Sequence, residues 1–190
     1  PVLAGLAAAG AAGVAAMFVT SPVRMRRLAA FLDPTLNAGG INDQASSGLW
    51  AIASGGWWGV GLGASRQKWD YVPNAHTDFI FSILGEELGL VGEVVVLALF
   101  GAFLYCGIRI ALRANDAFGR LLAAGITGWL GLQTLINLGA VTGLLPITGV
   151  PLPFLSFGGS ALVVSLTATG LLFSIGRASL VRGKRTPRRT

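Results

Sequence analysis

An all-α membrane protein, a polytopic helix bundle with four transmembrane spans and one long outer loop, is the fold class this sequence predicts. Three observations carry that reading. Of 190 residues, 53% are hydrophobic and only 12% charged, against about 25% charged in an ordinary soluble domain; mean hydropathy is +0.70. Four stretches, residues 2–20, 83–108, 121–141 and 155–175, are apolar over close to the ~20 residues a spanning helix needs. The 28 glycines suit membrane helices, where they let backbones approach closely.

The first span, residues 2–20, is uncharged, and Gly5, Ala9 and Gly13 recur at spacing four as a stripe that packs on another helix. Pro1 leads straight into it without an initiator Met or a basic n-region, so it reads as part of a longer protein rather than a signal peptide. The segment 21–82 is too long for an idle connection. It carries Trp50, Trp57, Trp58, Trp69 and Tyr71, which argues against disorder. Within it, Leu28, Phe31 and Leu32 fall at helical spacing with Arg24 and Arg27 elsewhere on the turn, the outline of an interfacial amphipathic helix. Gly55, Gly56, Gly59, Gly61 and Gly63 then mark a turn-rich stretch. Non-helical backbone at a membrane needs protein or water around it, which implies a lined cavity.

The span 83–108 carries Glu86, Glu87 and Glu93 near its start. Helical spacing puts Glu86 and Glu93 on one face, either toward a cavity or shallow at the interface, because a carboxylate in a span is costly. The span 121–141 holds Gln133 and Asn137, read as hydrogen-bonding glue to a neighbouring helix. Pro146, Pro151 and Pro153 stiffen the connection 142–154. That connection is either a rigid re-entrant link, or a groove wall or docking surface for a partner.

Lys and Arg set the orientation. Arg109, Arg113, Arg120 and the tail 176–190 place nine on one side, against five in the segment 21–82, so the tail is expected to be cytoplasmic and the long segment 21–82 and the short one 142–154 external. The net charge of +6 resides largely in that tail, next to a span. This makes it a topology and lipid signal rather than a nucleic-acid site. The single Cys106, inside an apolar run, offers neither a disulfide framework nor a metal cluster.

His76-Thr77-Asp78 sits where the long loop meets the second span. Thr77 or Asp78 has the chemistry to cap the following helix. Asp78 is also placed to act as a general base, or as a divalent-cation ligand, in an external cavity.

Here the sequence resembles a known family. Ser54-Gly-Gly, Gly59-Val-Gly61-Leu-Gly63-Ala-Ser65-Arg-Gln67-Lys68, Pro73-Asn-Ala-His76-Thr77-Asp78-Phe79-Ile80-Phe81 and Gly85-Glu86-Glu87-Leu88-Gly89 resemble motifs of the SEDS proteins of shape, elongation, division and sporulation. Arg24-Met-Arg-Arg-Leu with Asp33-Pro34, and Gly143 through Gly159, resemble the start of that family's large outer loop and its proline-rich last loop. The order of motifs is the family's across nearly the whole chain, and the division branch is the better likeness. The resemblance implies the last four of ten spans in an enzyme that polymerises lipid II into glycan strands for the septal wall. It puts Asp78 at the family's essential aspartate, with a divalent cation (Mg²⁺ or Mn²⁺) as a cofactor. It implies as partners lipid II, a class B penicillin-binding protein transpeptidase, other division proteins and membrane lipid. From charge and loop position, Arg66 and Lys68 are expected to offset the substrate diphosphate, with His76 and Glu86 as further substrate contacts. A lipid II flippase and a non-catalytic division scaffold are the alternatives.

Overall fold

The structure is a computed structural model that describes residues 5, 12–13, 20–33, 41–64 and 78–183, with backbone alone for 41–45 and 180–183. The described residues form helices and connecting loops without strands, in the order α1 (Pro22–Leu32), α2 (Ile41–Gly55), α3 (Ile80–Arg113), α4 (Ala117–Val141) and α5 (Gly159–Gly183). Three of these, Ile80–Arg113, Ala117–Val141 and Gly159–Ser179, are long and apolar enough to cross a membrane. The chain is thus a multi-pass membrane protein. Apart from Gly5, Ala12, Gly13 and Thr20, the expected first span lies outside the described residues, as does the end of the basic tail.

The amphipathic segment after Ser21 is helical as expected, beginning with Pro22 in the first turn, where its missing N–H costs nothing. Helix α2 is an element that the sequence reading did not place. Its glycines explain its packing: a Cβ on Gly48 would crowd Phe79, and one on Gly55 would overlap the Gly85 carbonyl, so α2 lies directly on the start of α3.

Helix α3 is the largest departure from expectation. Its 34 residues would measure about 51 Å if straight, well beyond a ~30 Å hydrocarbon core. It is not straight. Gly89 has φ 67° and ψ −169°, a conformation essentially restricted to glycine, and it divides α3 into arms 80–88 and 90–113. The second arm is antiparallel to α4, with Gly107 against Thr127 and Leu104 against Gly131. Asn137, six residues along α4 from Gly131, lies about 9 Å further on. In a straight α3, Ile80 would lie about 36 Å from Leu104. Yet Asn137 Nδ2 donates to the carbonyl of Asp78 at 3.0 Å. The first arm therefore folds back on the second, with the vertex at Gly89. Gly85 and Glu93, equidistant from that vertex, meet across it. The expected single span 83–108 is two arms.

Breaking a helix frees backbone groups, and leaving them unpaired in a bilayer costs several kcal/mol apiece. The glycine-rich loop after α2 takes them up. Val60 N–H donates to Glu86 O (2.9 Å) and Gly61 N–H to Glu87 O (3.1 Å). Leu90 N–H and Val91 N–H donate to Gly56 O (2.9 Å) and Trp57 O (3.4 Å). A Cβ on Gly59 would overlap the Glu87 carbonyl, so side chains are excluded from this latch. Of this glycine-rich loop Gly59 packs on the α3 backbone while Gly56, Gly61 and Gly63 have open space around them, and Trp57 and Trp58 project outward at 71% and 82% exposure.

Helix α4 starts at Asp116, whose side chain accepts from Gly119 N–H. It ends at Gly143, whose φ of 74° lets Leu144 N–H and Leu145 N–H reach back to Gly139 O. Two cores result. Phe79, Phe81, Ile83, Val141, Ile147 and Leu152 pack around the fold-back. Ala111, Ala123, Ile126, Leu130, Ala168 and Leu172 join α3, α4 and α5 nearer the basic end.

Candidate functional site

The proline-rich loop does not arch over the bundle; it dips into it. Gln133 lies about 12 Å below the end of α4 at Val141, and its Nε2 donates to Pro151 O at 2.9 Å. Asn137 Nδ2 donates to Val150 O at 2.7 Å as well as to Asp78 O. Leu152 N–H donates to Ser156 Oγ at 2.6 Å, closing the loop on itself. Phe154, at φ 66°, packs on Phe103 edge to face, ring centres 5.5 Å apart, and on Phe100 at 6.5 Å. Phe154 and Leu155 form one wall of an apolar cavity of about 240 Å³, whose other walls are Val96, Leu99, Phe100 and Phe103 of α3. The loop is therefore re-entrant, as the first of its two readings has it. Pro153 is buried in it, while Pro146 and Pro151 are half-buried.

The polar centre lies where this loop meets α1 and the start of α3. Arg27 Nη1 donates to Ile147 O at 3.3 Å. A Cβ on Gly149 would lie 3.3 Å from Arg27 Nη1 and 3.4 Å from Asp78 Oδ2. A guanidinium and a carboxylate thus flank one notch, left open because residue 149 has no side chain. Gly149 has φ 74°, which also favours glycine. Both Arg27 and Asp78 are half-buried.

Asp78 does not cap the helix that follows. The N-cap of α3 is Phe79, with no side-chain bond to the first turn, and the N–H groups of Ser82 and Ile83 turn to Phe79 O. Because the first arm folds back, Asp78 lies alongside the middle of the second arm instead of at the bundle's rim. A carboxylate beside a guanidinium can take a proton from a hydroxyl while the guanidinium offsets negative charge, and guanidinium suits phosphate especially well.

Arg66, Lys68 and His76 lie outside the described residues. Glu86 is 3% exposed, within the latch. Of its two expected places, this burial excludes the shallow one at the interface. The break at Gly89 also removes the argument that Glu86 and Glu93 share a helical face. Glu93 is buried, its Oε1 without a hydrogen-bond partner, in the first turn of the second arm, where the helix dipole favours negative charge. Among the described residues no three His, Cys, Asp or Glu side chains converge on a common point. At the notch Asp78 stands beside Arg27, and a divalent ion held there would need further oxygen ligands, such as substrate phosphates.

The sequence reading missed Arg27, Asn137 and Gly149. Arg27 was visible only as one cation on an amphipathic turn. Gln133 and Asn137, expected as glue between helices, both bind loop carbonyls. Replacing Asn137, which is 2% exposed, by Leu strips the carbonyls of Asp78 and Val150 of a donor. Each buried group left unpaired costs about 1–3 kcal/mol. Asn137→Leu should therefore melt several degrees below wild type in detergent, and an unchanged melting curve would show that these bonds do not hold the site.

Comparison with known proteins places this geometry. The chain is 45% identical over 170 residues to Stage V sporulation protein E of Bacillus subtilis (strain 168), covering 90% of this chain and 46% of that protein. It is 48% identical over 176 residues to a probable peptidoglycan glycosyltransferase FtsW of Thioalkalivibrio sulfidiphilus (strain HL-EbGR7), covering 91% and 44%. It therefore spans less than half the length of these relatives. Among solved structures it superposes on a chain from a peptidoglycan synthase complex that coordinates polymerization and crosslinking, with TM-score 0.65 and 30% identity, covering 93% of this chain and 48% of that one. A mutant of the Thermus thermophilus rod shape determining protein RodA matches with TM-score 0.53 and 38% identity over 68% of this chain and 39% of that one. The family model described as cell cycle protein, for FtsW, RodA and SpoVE, matches residues 1–180, and the chain belongs to that family.

Proposed function

We propose that the complete protein is a peptidoglycan glycosyltransferase that polymerises lipid II in septal wall synthesis, with Asp78 as its general base. The observation that carries this reading is the placement of Asp78 Oδ2 and Arg27 Nη1 around the open Gly149 notch. Relatives named as peptidoglycan glycosyltransferases support it. In the reaction, the 4-hydroxyl of the acceptor GlcNAc attacks the anomeric carbon of the donor MurNAc, and Asp78 takes the hydroxyl proton. The bond from that carbon to the diphosphate oxygen breaks, and undecaprenyl pyrophosphate leaves with the electron pair. Arg27 holds Ile147 O and thereby the loop beside Asp78. Arg66 and Lys68 offset charge on the diphosphate, and His76 contributes to substrate contact. The apolar cavity behind Phe154 suits an isoprenoid tail. A class B penicillin-binding protein transpeptidase is the proposed partner, in keeping with the synthase complex that the fold resembles.

Glycan synthesis from purified lipid II by the complete protein tests the proposal. A protein that binds lipid II yet makes no strand would be a scaffold, and lipid scrambling without strands would make it a flippase.

We place the Asp78 end outside the cytoplasmic membrane and the basic tail inside, from the Lys and Arg distribution. In intact cells a cysteine replacing Ala45, with Cys106 changed to Ser, should react with an impermeant thiol reagent, and one replacing Arg185 should not. The reverse pattern would put the site on the wrong face for lipid II polymerisation.

A further inference from the structure

At the end of the bundle away from the Gly89 vertex, a cavity of about 370 Å³ opens between α3 and α5, lined by Arg109, Ile110, Arg113, Phe173, Gly176 and Arg177. Arg109 and Arg113 are one turn apart on α3 and so share a face. Arg177 comes from α5. The two helices pinch together beside the recess, where a Cβ on Gly176 would lie 3.3 Å from Ile110 Cδ1. Arg109 and Arg177 are the first cations after the uncharged stretches 94–108 and 159–176. They therefore stand at the level where bilayer hydrocarbon gives way to phosphate.

Charge balance in the recess is one-sided. Among the described residues no acidic side chain pairs with Arg109, Arg113 or Arg177. The one acid at this end, Asp116, is committed to Gly119 N–H at the start of α4. Arg109 Nη1 donates to Tyr105 Oη at 3.1 Å, and its guanidinium lies 5.6 Å from the centre of that ring. Those contacts orient Arg109 without neutralising it. A topology signal alone needs positive charge on one side of the membrane; it does not need three arginines from two helices lining one apolar recess with their stems. Basic pockets between membrane helices hold anionic lipid headgroups, and the planar guanidinium fork matches phosphate oxygens.

We propose that this recess binds one anionic glycerophospholipid, its phosphodiester held by Arg109, Arg113 and Arg177 and the head of an acyl chain resting on Phe173 and Ile110. The lipid joins α3 to α5 at the end where α3 has no fold-back arm beside it.

The test uses the complete protein, purified in a neutral detergent and titrated with phosphatidylglycerol or phosphatidylcholine while its melting temperature is followed. Phosphatidylglycerol should raise the melting temperature by several degrees and saturate, and phosphatidylcholine and inorganic phosphate should not. The triple variant Arg109→Gln, Arg113→Gln, Arg177→Gln should bind phosphatidylglycerol at least tenfold more weakly, while Arg120→Gln, outside the recess, should bind as wild type does. Equal shifts from the two lipids, or from free phosphate, would overturn the proposal, as would full binding by the triple variant. If the triple variant does not fold, Arg113→Gln decides: this exposed position tolerates the change, and an affinity equal to wild type refutes the site.

Discussion

Asp78→Asn in the complete protein should fold, insert and bind lipid II as wild type does, yet make glycan 10²–10⁴-fold more slowly, the usual cost of losing a general base. The expectation rests on how Asp78 is held. Its carbonyl accepts from Asn137, and an asparagine keeps that bond because it belongs to the backbone. Its carboxylate is not the cap of the helix that follows, since Phe79 occupies the N-cap position. The substitution therefore removes a proton acceptor and little else. An amide at this position still fits beside Arg27 and the Gly149 notch. Strand synthesis from purified lipid II measures the rate, and a melting curve checks the fold. A variant that polymerises at the wild-type rate would dismiss Asp78 as the base. A variant that melts early would show that the carboxylate supports the structure instead.

Gly89→Ala should prevent the protein from folding. A side chain at φ 67° and ψ −169° is strained by about 1–3 kcal/mol wherever it occurs. Here a Cβ would also overlap Gly59 N and crowd the Trp57 backbone. Relief requires the latch to open, which strands the backbone partners of Val60, Gly61, Leu90 and Val91 in an apolar medium. Total stability is typically only 5–15 kcal/mol, so the sum is enough to unfold the arm. The variant should be degraded in cells and aggregate on gel filtration. Gly125→Ala is the matched control, because a Cβ there meets nothing within 4 Å. In a helix interior that change is expected to stabilise by about 0.5–1 kcal/mol. A Gly89→Ala protein that elutes and melts like wild type would show that α3 tolerates a different geometry at its break.

Much of the bundle was legible without coordinates. Long apolar stretches located the candidate spans from α3 onward, because bilayer length sets helix length. The amphipathic spacing of Leu28, Phe31 and Leu32 located α1. Asp78, and the density of prolines at 146, 151 and 153, marked two of the segments that meet at the site. What misled was periodicity carried across Gly89. Counting turns through Glu86 and Glu93 assumes an unbroken helix, and Gly89, one of three glycines between 85 and 92, does not by itself announce a reversal.

The sequence by itself determined which segments are apolar, where the cations gather and which carboxylate stands alone before a span, since those depend on residue type and local spacing. Only the tertiary structure decided that α3 folds back, that the loop 56–61 replaces its broken backbone bonds, and that Arg27, Asp78 and Gly149 share one notch. The physical reason is the range of the interactions. Arg27 and Ile147 are 120 residues apart, and Asp78 and Asn137 are 59 apart. Hydrogen bonds of that range form only after the fold-back has brought the backbones together, and neither partner's local pattern names the other.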